Sequence, residues 1–106
     1  MLRKLESKTK RDLLGQLFQL FLEQTPQKLD QLGTTITSGD LETAARLAHS
    51  VKGSCVNLGV TELGRLCSDM EQRAVAGDGA RCSELLPKVR SEYERVVLAI
   101  GAVRTV

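Results

Sequence analysis

A chain of 106 residues, 42% of them hydrophobic, is long enough for one domain with a single core and short of a typical stand-alone enzyme. Only 3% is aromatic and there is no tryptophan, so that core must be aliphatic. Fifteen Lys and Arg against thirteen Asp and Glu leave a net charge of +2, too balanced to imply a nucleic-acid partner, and no apolar run reaches the roughly 18 residues of a membrane span.

The first twelve residues hold Arg3, Lys4, Lys8, Lys10 and Arg11 against Glu6 and Asp12, so the excess charge is local. Residues 1–9 read as a basic segment or linker, and 10–104 as the folded domain. From Lys10 to about Leu22, Leu14, Leu17, Phe18 and Phe21 recur at helical spacing and predict a first helix. Gln24-Thr25-Pro26 then reads as a restart, with Thr25 as N-cap and Pro26 at the first helical position. A continuous, kinked helix is the alternative. The next helix carries Leu29, Leu32 and Ile36 on one face and stops near Ser38-Gly39, where glycine can supply a left-handed cap.

Asp40 caps the following helix, Leu41 to Leu58. Its apolar positions Leu41, Ala44, Ala48, Val51, Cys55 and Leu58 fall in one arc about 100° wide, which is the face to be buried. His49, the chain's single histidine, lies roughly 130° from the centre of that arc and should face outward. Its neighbours along the same face are Arg46 at i−3, Lys52 at i+3, Ala45 at i−4 and Gly53 at i+4. Two are cations, which attract an anion to the spot, and two have almost no side chain. A glycine inside a helix costs about 1 kcal/mol relative to alanine, so Gly53 calls for a reason, such as the close approach of another backbone. An exposed ring nitrogen in a positive and open setting suits acceptance of a phosphoryl group. The plain alternative is a surface histidine with basic neighbours.

After Asn57-Leu58-Gly59, Thr61 can cap a fourth run with Leu63, Leu66, Cys67, Met70 and Ala74 inward, and Gly64 reads as a point of tight helix packing. Ala76-Gly77-Asp78-Gly79 is the clearest loop. The last helix presents Cys82, Leu85, Leu86, Val89, Tyr93, Val96, Val97 and Ile100; Pro87 lies within it, so it begins near Glu84 or kinks there. No run alternates with period 2, so the fold class is all-α. Short loops join antiparallel neighbours into an up-and-down four-helix bundle, with an additional N-terminal helix packed across one end. Cys55, Cys67 and Cys82 sit at apolar helix positions and read as reduced core thiols. With no Cys-x-x-Cys pair and one histidine, no zinc site is indicated.

Ala48-His49-Ser50-Val51-Lys52-Gly53-Ser54-Cys55-Val56-Asn57-Leu58-Gly59, followed by Leu63, Leu66-Cys67 and Met70-Glu71, resembles the signature of histidine-containing phosphotransfer (HPt) domains of bacterial phosphorelays. The family pattern runs A-H-x-L-K-G-S-x-x-x-L-G and then L-x-x-L-C-x-x-L-E. Val51 and Met70 each replace a leucine here, mild changes on the core side. The resemblance implies that His49 is the phosphoacceptor, taking the group from a receiver-domain aspartate and passing it to another receiver. It implies that Lys52 neutralises phosphoryl charge, that Gly53 leaves access, and that Glu71 hydrogen-bonds the imidazole. Arg46 is an electrostatic candidate that the family does not fix. The chain itself would bind no cofactor; Mg²⁺ is expected in the partner receiver.

No kinase activity of its own is expected, since neither G-x-G-x-x-G nor a Walker-type loop is present. The partners implied are receiver domains, and a histidine kinase of which the chain could be a part, with no nucleic acid and no membrane contact by this domain. A cytoplasmic location follows as the simplest reading, either free or within a membrane-bound hybrid sensor kinase. Two alternatives stand beside this one: the phosphoaccepting domain of a chemotaxis-type histidine kinase, and a bundle that docks a receiver without chemistry.

Overall fold

Each helix ends where local chemistry can satisfy its free backbone groups. The computed structural model describes the backbone of residues 2–104 and the side chains of residues 13–101. Its four helices are α1 (Leu2–Ser38), α2 (Leu41–Leu58), α3 (Thr61–Val75) and α4 (Gly79–Arg104), and no strand occurs among the described residues. Gly39 takes a positive φ of 81° after α1, and Asp40 then accepts a hydrogen bond from the Thr43 amide at 3.2 Å to open α2. At the other end of α2, Gly59 adopts φ 70°, which lets its amide and that of Val60 turn back onto the carbonyls of Val56 and Cys55. Asp78 opens α4 in the same way as Asp40 opens α2, accepting from the Arg81 amide at 3.0 Å.

One cap differs from the sequence expectation. The residue before α3 is Val60, which makes no side-chain cap bond, and Thr61 is already helical. Val60 is half-buried against the core. Burying that side chain, worth on the order of 1 kcal/mol or more, matches what a hydroxyl cap would contribute.

The larger correction concerns the N-terminal half. The two helices expected before Gly39 are one, so no separate additional helix lies across an end of the bundle. Pro26 falls inside α1. Thr25, expected as an N-cap, instead lies within α1 and is buried on the inner face. A proline within a helix leaves the carbonyl four residues earlier without its amide donor, here that of Leu22. The Tyr93 hydroxyl of α4 donates to that oxygen at 3.5 Å, a long bond in the direction the vacancy requires. Phe21 packs beside it, its ring 5.6 Å from that of Tyr93. Tertiary contact therefore supports the helix at the residue where local rules would end it. Pro87 is likewise tolerated inside α4, where it and Ser83 are both exposed and water can serve the freed carbonyl.

Thirty-seven residues at about 1.5 Å each make α1 roughly 55 Å long, and the longest extent of the molecule is 54 Å. Its N-terminal part runs past the other helices, with Leu13, Leu14 and Leu20 exposed. Residues 2–9, within the stretch expected as a basic segment or linker, continue the helix without a break.

From Phe21 on, the core assembles as the periodicity predicts. Leu29, Leu32 and Ile36 of α1 meet Ala44, Ala48, Val51 and Cys55 of α2, Leu63, Leu66, Cys67, Met70 and Ala74 of α3, and Cys82, Leu85, Val89 and Tyr93 of α4. Contacts run α1 to α2, α2 to α3, α3 to α4 and α4 back to α1, the ring of an antiparallel four-helix bundle with α2 diagonal to α4. The α2–α3 seam is the closest. A Cβ built at Gly64 would lie 3.2 Å from the Cβ of Cys55, so any side chain there would have to push Cys55 back by a few tenths of an ångström. Burial pushes the Cys55 thiol up to about 11 and the Cys67 thiol up to about 12, and all three cysteines are free. No helix among the described residues is long and apolar enough to cross a membrane.

Candidate functional site

The tight α2–α3 seam brings a carboxylate from one helix onto the imidazole of the other. Ala48 and Val51 pin the inner face of α2, fully buried, and this turns His49 outward with 68% of its side chain exposed. On α3, Met70 and Ala74 are buried and Glu71 stands at the edge of the seam. Nδ1 of His49 lies 2.9 Å from Oε2 of Glu71. The other carboxylate oxygen, Oε1, is 3.8 Å from Nζ of Lys52. Glu71 thus serves two side chains that stand one turn apart on the neighbouring helix. Its own side chain is three-quarters buried, which holds the carboxylate in place.

This contact decides which ring nitrogen is free. An ionised carboxylate can only accept a hydrogen bond, so Nδ1 carries the proton. In the neutral ring the lone pair is then on Nε2, the nitrogen directed away from Glu71. The arrangement offers one unprotonated nitrogen to solvent, one carboxylate to balance positive charge on the ring, and one ammonium close by.

Gly53 is exposed one turn along from His49, and a Cβ built there would meet nothing within 4 Å. No packing among the described residues accounts for a glycine at that position. Arg46 lies apart from the cluster: its guanidinium pairs with Glu42 at 3.5 Å, both side chains largely exposed. Such a pair contributes little to stability. Arg46 and Glu42 do line, with His49, Glu71, Ala45 and Val75, a shallow open groove that runs between α2 and α3.

Two further residues belong to this surface and were not singled out from the sequence as contributors. Ser50 accepts a hydrogen bond at 2.7 Å from Nζ of Lys28 on α1. Lys28 sits 22 residues before Ser50, and nothing in its local sequence distinguishes it from the other lysines. Only the α1–α2 packing places it beside the histidine helix.

Comparison with protein-family models matches residues 16–99 to the Hpt domain. No significant match to a curated protein or to a solved structure was found.

Proposed function

The chain belongs to the Hpt domain family, and from that membership we propose that His49 accepts a phosphoryl group from the aspartyl phosphate of one receiver domain and passes it to another. Hpt domains are phosphotransfer modules of histidine-phosphorelay signalling that interact with receiver domains; they carry the group and are not catalysts. The observation that carries the assignment to His49 is its Nδ1 contact with Glu71 at 2.9 Å, with the outer nitrogen left open to solvent.

In the forward step the Nε2 lone pair attacks phosphorus, the N–P bond forms, and the bond from phosphorus to the aspartyl oxygen breaks. The aspartate leaves as a carboxylate. No proton need move, because Nδ1 keeps its hydrogen throughout and the ring becomes cationic. Glu71 is placed to balance that charge while fixing the ring's orientation. Lys52 is assigned to the phosphoryl oxygens, and bare Gly53 to the approach of the receiver's loops. Arg46 contributes a cation at the rim, at longer range than Lys52. Mg²⁺ belongs to the receiver in this scheme, held against its aspartate. Positioning and charge neutralisation are what a carrier must supply, since phosphoryl transfer requires little else from the accepting side. The same module would serve as a free carrier or as one domain of a hybrid sensor kinase.

The test is transfer of label from a panel of radiolabelled phospho-receivers of one genome to the native chain and to His49→Gln. Acid-labile, base-stable label on the native chain and none on the variant is the expected outcome. Label supplied only by a chemotaxis-type kinase domain would move the assignment to that class. Tight receiver binding with no label on the native chain would leave a docking bundle instead.

A further inference from the structure

Lys28 stands out among the cations around His49 because it faces no anion. Arg46 is paired with Glu42 and Lys52 with Glu71, whereas among the described residues the one polar contact of Lys28 is to the neutral hydroxyl of Ser50, with no carboxylate within ion-pair distance. That contact is partly buried and short, 2.7 Å, so the ammonium is held in one place.

Its place relative to the histidine follows from the helix. At about 100° per residue, His49 and Ser50 lie roughly 130° to either side of the centre of α2's buried arc. They occupy opposite shoulders, His49 toward α3 and Ser50 toward α1, and Gly53 lies on the crest between them. Successive Cα atoms are about 3.8 Å apart, so the Lys28 ammonium is within about 10 Å of the His49 backbone, yet across the crest from the ring and from Glu71. It is too far round to touch a phosphoryl group on Nε2. A partner that reaches His49 by crossing the bare crest at Gly53 would set its far rim on Lys28.

We propose that Lys28, held by Ser50, is a specificity-determining docking contact that receives a carboxylate from the rim of the receiver's phosphoryl site. This rests on the reading of His49 as acceptor from a receiver. A receiver that presents a carboxylate there gains an unspent charge, and one that presents Lys or Arg meets repulsion, so this position sorts partners more than it accelerates chemistry. Ser50 acts through Lys28, as a positioning residue.

The test uses the phospho-receiver that labels the native chain fastest in the panel, with second-order transfer rates measured at about 50 mM and about 500 mM salt. At low salt Lys28→Met is expected to slow transfer about tenfold and Lys28→Glu further, with Lys28→Arg near native. At high salt the loss in Lys28→Met should shrink to under about twofold, because an exposed interface charge is screened. Lys88→Met, the same charge removed from the diagonal helix α4, should be unaffected at either salt. Labelling of His49 by phosphoramidate, a donor too small to span the crest, should proceed alike in the native chain and Lys28→Met. Equal receiver rates for native and Lys28→Met at low salt would overturn the docking role and leave His49 as acceptor intact. An equal slowing with phosphoramidate would also overturn it, by placing the effect at the ring and not at the partner. If no receiver and no phosphoramidate labels His49, the proposal falls together with the reading beneath it.

Discussion

Replacing Glu71 by alanine separates a carboxylate that positions the imidazole from one that merely lies near it. The bond at issue is the 2.9 Å contact to Nδ1. Hydrogen bonds to charged groups contribute about 1.5–3 kcal/mol when shielded from water. Here the histidine side chain is 68% exposed and the glutamate 25%, so competition with water brings the contribution toward about 1 kcal/mol. That is about a fivefold preference for the tautomer with hydrogen on Nδ1. A free imidazole side chain favours hydrogen on Nε2 instead. Glu71→Ala should therefore shift the ratio about fivefold toward Nε2–H, and the rate of phosphoryl acceptance should fall about threefold from the tautomer change and up to about tenfold with the lost charge balance on the ring. Because His49 is the only histidine, ¹⁵N spectra of the imidazole, recorded where the ring is neutral, report this tautomer without overlap. Glu71→Gln retains an acceptor oxygen and loses the charge, so it should keep most of the tautomer preference and only part of the rate. An alanine variant with the native ratio and the native rate would refute the positioning role.

Gly53→Ala adds a methyl group that meets nothing within 4 Å among the described residues. It should raise stability by about 0.5–1 kcal/mol in urea titration through helix propensity, while slowing transfer from a receiver; an unchanged transfer rate would remove access as the reason for the glycine. Gly64→Val forces new atoms into the seam where even a Cβ lies 3.2 Å from that of Cys55. Overpacking there should cost about 2 kcal/mol and lower the melting temperature by roughly 10 °C. The buried thiols make stability fall at alkaline pH. Cys55 and Cys67 are raised from 9.0 to about 11 and about 12 in the folded chain. The unfolded chain thus releases their protons first, so the contribution is complete below pH 9 and is lost as pH rises through 11 and 12. Urea unfolding at pH 8 and pH 10 should differ by about 1–3 kcal/mol, and Cys55→Ala with Cys67→Ala should remove most of that difference.

Much of the fold is written in local spacing. The inward faces of α2 and α3 follow from 3.6-residue periodicity, since each apolar arc must be buried wherever the helix packs. Gly39, Asp40 and Gly59 mark helix ends because their backbone or side-chain chemistry satisfies terminal groups without help from elsewhere. The outward direction of His49 is legible in the same way, as the complement of the arc that ends in Ala48 and Val51. The motif from Ala48 to Gly59 also pointed to the family, which the match over residues 16–99 supports.

What the sequence left open are the features set by contacts between helices. Thr25-Pro26 satisfies the local rules for a new helix, yet burial of Thr25 and the Tyr93 hydroxyl at the Leu22 carbonyl carry α1 straight through. The proton on Nδ1 depends on Glu71, and the fixed cation on the opposite shoulder depends on Lys28, each 22 residues from its partner on α2. The sequence alone determined that α2 would present an exposed histidine between cations. Tertiary structure decided which nitrogen of that histidine is free and which charges surround it. Periodicity reports only which side of a helix is buried, whereas a 2.9 Å hydrogen bond depends on how closely two helices approach and at what register, and here Gly64 and Cys55 set that approach.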